Sequence, residues 1–257
     1  MFRDVKQKAF KYCNMFLGMQ NPHYTEFHKK KGIGKNYDAD LYSDDGWSNR
    51  VWQLEKHILK EILSHEKKLE IMDFAAGTGR ISQYLEELKI GSIVAVDTSE
   101  DMLSVAKKKL KKTKIVCSDI TKGCSSSELN KKFDLILAFR FFLNIDNNLR
   151  KSVMKKLGQM IKKDGKLIFN VHSNKHSIMS LKNIFRDRMN TLSVSDVEKL
   201  LKCGGFKVQK IYSYGFIPHW KKRQILPFDK WIGIEKKLIT NKFLFGTHLT
   251  FVCEKEK

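Results

Sequence analysis

The chain has 257 residues, 42% of them hydrophobic and 11% aromatic, and its 49 basic and 28 acidic residues give a net charge of +21. It is long and apolar enough for one large domain with a buried core. The chain has no run of roughly 18 apolar residues and no C-x-x-C pair among its five cysteines, and its first residues lack a clean apolar h-region and a small-residue cleavage site. We therefore expect a cytoplasmic protein without a secretory signal, transmembrane segment, disulfide framework or zinc site.

The excess of positive charge has two explanations. It would suit a polyanionic partner such as nucleic acid, anionic lipid or a phosphorylated substrate. Alternatively, it reflects biased residue usage, with lysines that only solvate helix faces and loops. Lysine clusters at 29–31 and 107–112 lie at predicted helix ends and loops, which favours the second explanation.

The predicted elements alternate between strands and helices, which is typical of a parallel sheet with helices on both faces. A basic, aromatic start leads into an amphipathic helix over 47–63. There follow a strand over 69–74, a helix over 78–88, a strand over 92–96, a helix over 99–110 with Ser99 as N-cap, and strands over 114–117 and 133–139. The pattern then continues with a helix over 146–161, a turn at 163–165 and a strand over 166–171. It ends with a helix over 194–201, closed by Gly204 and Gly205, and with strands over 206–214 and 248–254.

Residues 215–245 interrupt this pattern with aromatic and basic side chains. After Pro227, five apolar residues have the spacing of one face of a short helix: Phe228, Trp231, Ile232, Leu238 and Ile239. We expect this stripe to pack on the sheet domain. A lid or substrate-contacting insertion and a helix on a membrane surface are alternatives.

The most informative stretch lies at residues 71–82. An apolar strand ends in the carboxylate of Asp73, a turn of small residues with Gly77 and Gly79 follows, and a helical pattern then begins. Glycine lets the backbone approach a bound molecule, because a Cβ would hold that molecule away. This arrangement predicts a pocket for a nucleotide-like ligand.

Residues from 66 to 255 resemble class I (Rossmann-like) S-adenosylmethionine-dependent methyltransferases. The resemblance rests on motifs in order: 73–79 after the first strand, Asp97 after the second, Ser118-Asp119-Ile120 after the third, 133–138 as the fourth strand, a helix-turn-strand step at 157–169, and Gly204-Gly205-Phe206. Ala75 stands where many members have glycine. The Asn/Asp-Pro-Pro-Tyr motif of many methyltransferases that act on exocyclic or glutamine nitrogens is absent, which disfavours methylation of a base amino nitrogen.

The resemblance implies a three-layer, doubly wound α/β fold with a seven-stranded, mostly parallel sheet whose last strand is antiparallel. We expect an N-terminal helical cap at 1–66 and the methyltransferase domain at 67–257, with 215–245 as a lid or substrate-side insertion. The implied cofactor is S-adenosyl-L-methionine, with S-adenosyl-L-homocysteine as its product. The implied cofactor-binding residues are Asp73, Ala75, Gly77, Gly79, Asp97, Thr98, Met102, Asp119, Ile120 and Phe139.

Substrates of such open sheets bind beyond the carboxyl ends of the strands. Arg140 and Asn144 follow the fourth strand and His172 follows the fifth, so these three residues are the candidate catalytic set. His172 is a candidate general base, and Arg140 is a candidate anchor for a carboxylate or phosphate. Each also has a purely structural alternative, a local hydrogen bond for His172 and an ion pair for Arg140.

The predicted activity is methyl transfer to a small-molecule or carrier- or lipid-linked acceptor at O, N or C, with an anionic acceptor as one option. RNA or protein methylation is an alternative that only the basic surface supports. An NAD-dependent oxidoreductase fits the distance from Gly79 to Asp97, but Ser82 stands where that fingerprint needs a third glycine. A non-catalytic S-adenosylmethionine-binding subunit would keep the same motifs. The sequence leaves the acceptor and the oligomeric state open.

Overall fold

A seven-stranded sheet forms the centre of the molecule. The computed structural model describes residues 32–42, 46–123, 126–177, 191–217 and 226–256. Its strands are β1 (Leu69–Phe74), β2 (Gly91–Asp97), β3 (Lys114–Cys117), β4 (Phe133–Ala138), β5 (Ile161–Val171), β6 (Phe206–Tyr214) and β7 (His248–Lys255). They lie in the order β3-β2-β1-β4-β5-β7-β6, and β7 alone runs antiparallel to its neighbours. The predicted fold class is confirmed.

The described α-helices flank this sheet. They are α1 (Ile33–Leu41), α2 (Trp47–Leu63), α3 (Arg80–Leu88), α4 (Glu100–Lys109), α5 (Asn147–Met160), α6 (Val194–Lys202) and α7 (Phe228–Leu238). The predicted bounds of α2, β1, β3 and β6 are confirmed, and most other ends shift by one or two residues. Ser99 is the N-cap of α4, as predicted, and its hydroxyl accepts a hydrogen bond from the Met102 N–H (3.3 Å).

The structure adds one helix and corrects one predicted turn. Helix α1 lies within the predicted helical cap, where the sequence analysis gave no bounds for it. The predicted turn at 163–165 lies inside β5, which begins at Ile161 rather than at residue 166. The pairing with β4 jumps from Phe133↔Ile161 to Leu135↔Lys166, so residues 162–165 bulge out of the ladder instead of separating a helix from a strand.

Each face of the sheet carries its own hydrophobic core, because successive side chains of a strand point to opposite faces. Met72 and Ile136 face the core that includes α5 and α6. Their neighbours Ile71 and Leu135 face the core that includes α2, α3 and α7. With both faces covered, the carboxyl ends of the parallel strands share one open edge, where the loops carry the predicted site residues.

The predicted stripe on α7 packs mostly inward. Trp231 and Ile232 are buried, Phe228 and Ile239 are partly buried against the same core, and Leu238 is exposed. Trp220 and the basic residues 221–223 of the same segment lie outside the described residues, as do residues 1–31. No helix within the described ranges has both the length and the apolar character that crossing a bilayer requires.

Candidate functional site

A cavity of about 140 Å³ lies at the carboxyl ends of β1 to β4. Its lining includes eight of the ten predicted cofactor-binding residues: Ala75, Gly77, Asp97, Thr98, Met102, Asp119, Ile120 and Phe139. A smaller cavity of about 50 Å³ shares lining residues such as Gly77 and adds Asp73, whereas Gly79 lines neither. Motifs that are far apart in the sequence thus meet at one place.

The loop after β1 has a left-handed backbone at three positions, Ala75 (φ 56°), Gly77 (φ 55°) and Gly79 (φ 78°). A Cβ on Gly77 would stand 3.5 Å from the Met102 Cε, which is an ordinary contact, so the left-handed backbone rather than a lack of space favours glycine here. A Cβ on Gly79 would lie 2.9 Å from the Leu110 Cδ1, so Gly79 allows the loop to pack on the end of α4. Ala75 adopts a conformation that costs an L-residue about 1–2 kcal/mol.

Asp97 joins this loop to the wall of the cavity. Its Oδ2 accepts a hydrogen bond from the Gly77 N–H (2.8 Å), and its Oδ1 accepts one from the Ser99 N–H (2.9 Å). Burial raises the pKa of the Asp97 carboxyl above its ordinary value, although these hydrogen bonds oppose the shift. Each carboxylate oxygen has a second lone pair, so Asp97 still has capacity to accept from ligand hydroxyl groups.

Asp73 combines a place in the wall of the smaller cavity with a structural task. Its Oδ2 accepts hydrogen bonds from the Ser82 N–H (2.9 Å) and the Ser82 hydroxyl (2.6 Å), in the first turn of α3. Burial raises the pKa of Asp73 to about 6, and the bonds from Ser82 and the charge of Arg80 offset only part of this shift. A carboxylate at this position also complements the positive end of the helix.

The side chain of Asp119 is used within its own turn. Its Oδ1 accepts hydrogen bonds from the Thr121 N–H (3.0 Å) and the Thr121 hydroxyl (2.6 Å). The next residue, Ile120, is buried and presents apolar surface to the cavity. This wall therefore offers both an apolar face and polar backbone groups to a flat ligand.

Arg140 lies where the two cavities meet and lines both. Its backbone N–H donates to Asn170 Oδ1 (2.6 Å), and Asn170 Nδ2 donates to Glu55 Oε1 (2.7 Å), so buried hydrogen bonds fix the backbone here. The side chain is less well satisfied, because its buried Nε makes no hydrogen bond to any residue in the described part of the chain. This Nε–H donor is thus positioned without a partner among the residues that the structure describes.

A second arginine near the smaller cavity is paired. Arg80 forms a salt bridge with Glu55 Oε2 (3.2 Å). The ring centroid of Tyr42 lies 4.7 Å from the Arg80 Cζ and 5.4 Å from the Arg140 Cζ, so both guanidinium groups contact one aromatic ring. Of the two cations, Arg80 has a carboxylate partner within the described residues and Arg140 does not.

Comparison with known proteins relates this chain to methyltransferases. Residues 71–165 match the family model of a methyltransferase domain. A malonyl-[acyl-carrier protein] O-methyltransferase of Priestia megaterium is 30% identical over 153 residues, which cover 56% of this chain and 53% of the relative. A demethylmenaquinone methyltransferase of Leptospira interrogans is 29% identical over 153 residues, which cover 56% and 58%. The chain thus spans about half the length of the curated relatives it matches.

Solved structures share the fold. The magnesium protoporphyrin IX methyltransferase of Synechocystis PCC 6803 with bound S-adenosylhomocysteine has a TM-score of 0.59 at 13% identity, covering 90% of this chain and 97% of that one. A possible histamine N-methyltransferase from Thermotoga maritima has a TM-score of 0.59 at 17% identity, covering 81% and 90%. Residues 71–165 are therefore a methyltransferase domain, and the described residues share the fold of S-adenosylmethionine-dependent methyltransferases of known structure. The predicted family and cofactor are confirmed, and the match favours them over the NAD-dependent oxidoreductase.

Two of the three candidate catalytic residues, Asn144 and His172, do not line either cavity. Asn144 Nδ2 donates to the Arg140 carbonyl oxygen and so supports the loop. The Nδ1 of His172 is buried and has no hydrogen-bond partner among the described residues. Burial and the positive charge of Arg140 lower the pKa of His172 to about 3. An imidazole with this pKa is a weak proton acceptor at neutral pH, so the structure gives no support for His172 as a general base.

Helix α1 supplies a lining residue that was not among the predicted cofactor-binding residues. Tyr37 lines both cavities. One signal was available, because Ile33, Tyr37 and Leu41 recur at intervals of four residues, as one face of a helix does. The helix is only nine residues long and carries mostly polar residues, so this signal is faint.

Two carboxylates hold α1 against the methyltransferase core. The carboxylate of Asp101, on α4, accepts hydrogen bonds from the N–H groups of Gly32 (3.0 Å) and Gly34 (2.7 Å), which begin α1. In the other direction, Asp38 of α1 accepts a hydrogen bond from the Thr78 hydroxyl (2.7 Å) in the loop after β1. The position of Tyr37 therefore depends on contacts between distant parts of the chain.

A buried arginine on α2 is a further residue to which the sequence assigned no role. Arg50 is 5% exposed, and its Cζ lies 4.9 Å from the Phe228 ring centroid and 5.7 Å from that of Trp231. Its Nη2 and the Trp231 Nε1 are buried without hydrogen-bond partners among the described residues. The cation is stabilised by aromatic faces from α7, a contact that no local sequence pattern predicts.

Proposed function

We propose that this protein transfers a methyl group from S-adenosylmethionine to an anionic acceptor, either a small molecule or a carrier- or lipid-linked metabolite. The supporting observation is Arg140, which lines the same cavity as Asp97 and whose buried Nε lacks a partner among the described residues. A buried donor without a partner costs about 1–3 kcal/mol. A carboxylate or phosphate on the acceptor would remove this cost through charge-assisted hydrogen bonds.

We assign the cofactor to the side of the cavity formed by β1, β2 and β3. Asp97 would accept hydrogen bonds from the ribose hydroxyls, and Asp73 would attract the α-ammonium group. Met102 and Ile120 would flank the adenine, and Gly77 would let the backbone come close. When bound, the cofactor supplies a methyl group already activated by its sulfonium, which leaves the protein to position the acceptor and exclude water.

An anionic oxygen acceptor would need no strong base in the protein. It already carries a nucleophilic lone pair, so Arg140 would hold and orient it without removing a proton. The lowered pKa of His172, about 3, agrees with such a reaction. The malonyl-[acyl-carrier protein] of one relative carries a free carboxylate and falls within the proposed class of acceptors, whereas the demethylmenaquinone of another has no such anion. We also propose a cytoplasmic location, which the unpatterned spacing of the five cysteines supports.

The cofactor assignment is tested by Asp97→Asn, which keeps the size of the side chain and removes its charge. Hydrogen bonds to a charged group contribute about 1.5–3 kcal/mol, so affinity for S-adenosylhomocysteine should fall about 10- to 150-fold in calorimetry. The matched control is Asp164→Asn, an exposed carboxylate in the bulge of β5. Wild-type affinity in Asp97→Asn would refute the ribose assignment.

The acceptor proposal is tested by transfer of label from methyl-labelled S-adenosylmethionine into a cell extract that has been fractionated on an anion exchanger. We expect the acceptor in the retained fraction, and we expect Arg140→Gln to lower transfer at least tenfold while affinity for S-adenosylhomocysteine stays within about threefold. Treatment of the fraction with nuclease or protease separates the RNA and protein alternatives. An acceptor found only in the unretained fraction, or undiminished transfer by Arg140→Gln, would rule out an anion held by Arg140.

A further inference from the structure

We propose that residues 234–245, which we call the 234–245 surface, dock on an anionic lipid bilayer. This inference goes beyond methyl transfer and does not depend on it. Within the described residues, the exposed large hydrophobic side chains all fall in this stretch, and they are Ile234 (42% exposed), Leu238 (42%), Phe243 (63%) and Phe245 (55%). Such a concentration of exposed apolar side chains marks an interaction site rather than ordinary surface.

The first part of the surface is the outer side of α7. Glu235 is buried and accepts hydrogen bonds from the N–H groups of Gly215 (2.9 Å) and Ile217 (2.6 Å), which hold this helix against the end of β6. With this side turned inward, Ile234 and Leu238 lie one turn apart on the outer side. Their exposure follows from a fixed helix orientation.

The second part is the segment between α7 and β7. Leu244 packs partly against the core, and its carbonyl oxygen accepts a hydrogen bond from Asn174 Nδ2 (2.7 Å). The Gly246 N–H donates to the Ser213 hydroxyl (2.9 Å). These contacts fix the backbone on both sides of Phe245, so the exposed rings of Phe243 and Phe245 are carried on an anchored segment.

The charge of this surface is complementary to anionic headgroups. Lys236, Lys237 and Lys242 are exposed, and the acid of the stretch, Glu235, is buried. Exposed apolar residues beside lysines are typical of elements that lie on a membrane, with the apolar side chains entering the headgroup region. Protein interfaces instead favour arginine, tyrosine and tryptophan and are depleted of lysine, so we infer lipid rather than a protein partner.

The position of the surface suits this role. β6 ends and β7 begins at the carboxyl edge of the sheet, because β6 is parallel to β5 and β7 is antiparallel to both. The 234–245 surface therefore lies in the connection at the same edge as the cavity that contains Arg140. Docking by this surface would bring a bilayer to the side of the molecule on which the cavity lies.

The test is co-sedimentation with vesicles of phosphatidylcholine alone or mixed with phosphatidylserine. We expect binding to the mixed vesicles that weakens as salt rises, and little binding to phosphatidylcholine. Lys236→Gln/Lys237→Gln/Lys242→Gln should weaken binding about 100-fold and Phe243→Ser/Phe245→Ser at least tenfold. The charge-matched control Lys108→Gln/Lys111→Gln/Lys112→Gln, at the end of α4 and before β3, should keep most of the binding.

Three outcomes would overturn the proposal, and two further measurements on phenylalanine variants are controls. Absence of wild-type binding to the mixed vesicles, or an equal loss in the control triple variant, would show that no specific lipid surface exists. Self-association that Phe243→Ser/Phe245→Ser abolishes, without vesicle binding, would assign the surface to a second copy of the chain. Unchanged affinity for S-adenosylhomocysteine and unchanged melting temperature in the serine variant would show that any lost binding is not due to misfolding. Phe243→Trp/Phe245→Trp should bind at least as tightly as the wild type.

Discussion

The carboxyl group of Asp73 is 1% exposed, and burial raises its pKa from 3.8 to about 6. The folded protein therefore holds this proton more tightly than the unfolded chain. The resulting stabilisation is fully present below pH 3.8 and is lost as the pH rises to 6. At neutral pH, where Asp73 is ionised, the buried charge consequently makes the free energy of unfolding up to about 3 kcal/mol lower than it is when Asp73 is protonated.

Replacement of Asp73 by asparagine is expected to separate stability from binding. The amide can still accept a hydrogen bond from the Ser82 N–H, but it carries no charge to desolvate. Asp73→Asn should therefore raise the free energy of unfolding at pH 7 by roughly 1–3 kcal/mol, and the gain should vanish below pH 4. Denaturant unfolding of both proteins between pH 4 and 7 measures this difference.

The same variant should bind S-adenosylhomocysteine more weakly than the wild type does, because the proposed attraction for the α-ammonium group is lost. A gain in stability that is the same at every pH would show that the charge of Asp73 is not its cause. Undiminished affinity would place the α-ammonium group elsewhere.

At the level of single residues, sequence reasoning located the cavity better than it assigned roles. Asp97 and Gly77 were predictable because a strand end and a tight turn fix their positions locally. The packing role of Gly79 depends on Leu110, which approaches only after α4 has folded back. The low pKa of His172 depends on burial and on Arg140, neither of which a sequence pattern reveals.

At the level of elements, the strands were predictable because central parallel strands are continuous apolar runs with both faces buried. Helix α1 is the contrasting case. Helices of this length are marginal in isolation. Asp101 accepts hydrogen bonds from the N–H groups at the start of α1 and the Thr78 hydroxyl donates to the Asp38 side chain, so both contacts come from residues far along the chain. The bulge in β5 could not be predicted either. The residues Lys163-Asp164-Gly165 suit a turn between a helix and a strand as well as a bulge within a strand.

The attachment of α1 should control how long the cofactor stays bound. Asp38 accepts the Thr78 hydroxyl hydrogen bond and pairs with Lys109, so Asp38→Ala removes both contacts. Their loss, at about 1–2 kcal/mol together, should increase the dissociation rate of S-adenosylhomocysteine roughly 5- to 30-fold. Stopped-flow displacement measures this rate, and hydrogen exchange should rise over residues 33–41.

The matched control for this experiment is Glu100→Ala, which removes an exposed carboxylate from the first turn of α4. It should leave both the dissociation rate and the exchange of residues 33–41 unchanged. If Asp38→Ala behaves like this control, α1 does not retain the cofactor.

At the level of the whole molecule, ion pairs leave the net charge of +21 unchanged, because each pair cancels one base and one acid. Lys166 pairs with Glu66 (2.8 Å) and Lys114 pairs with Glu128 (2.8 Å) across neighbouring elements. Such exposed pairs contribute about 0–1 kcal/mol each. The proposed membrane surface uses three of the 49 basic residues, so most of the surplus is compatible with simple solvation of the surface.

The packing of α2 limits how the chain can be divided. Five apolar side chains of this helix are buried against the sheet, and they are Val51, Leu54, Ile58, Leu59 and Leu63. Their burial contributes roughly 8–15 kcal/mol, which equals the net stability of a typical domain. A truncated version that starts at β1 would expose this sheet face to water, so an expression fragment intended for crystallisation has to retain everything from α2 onward.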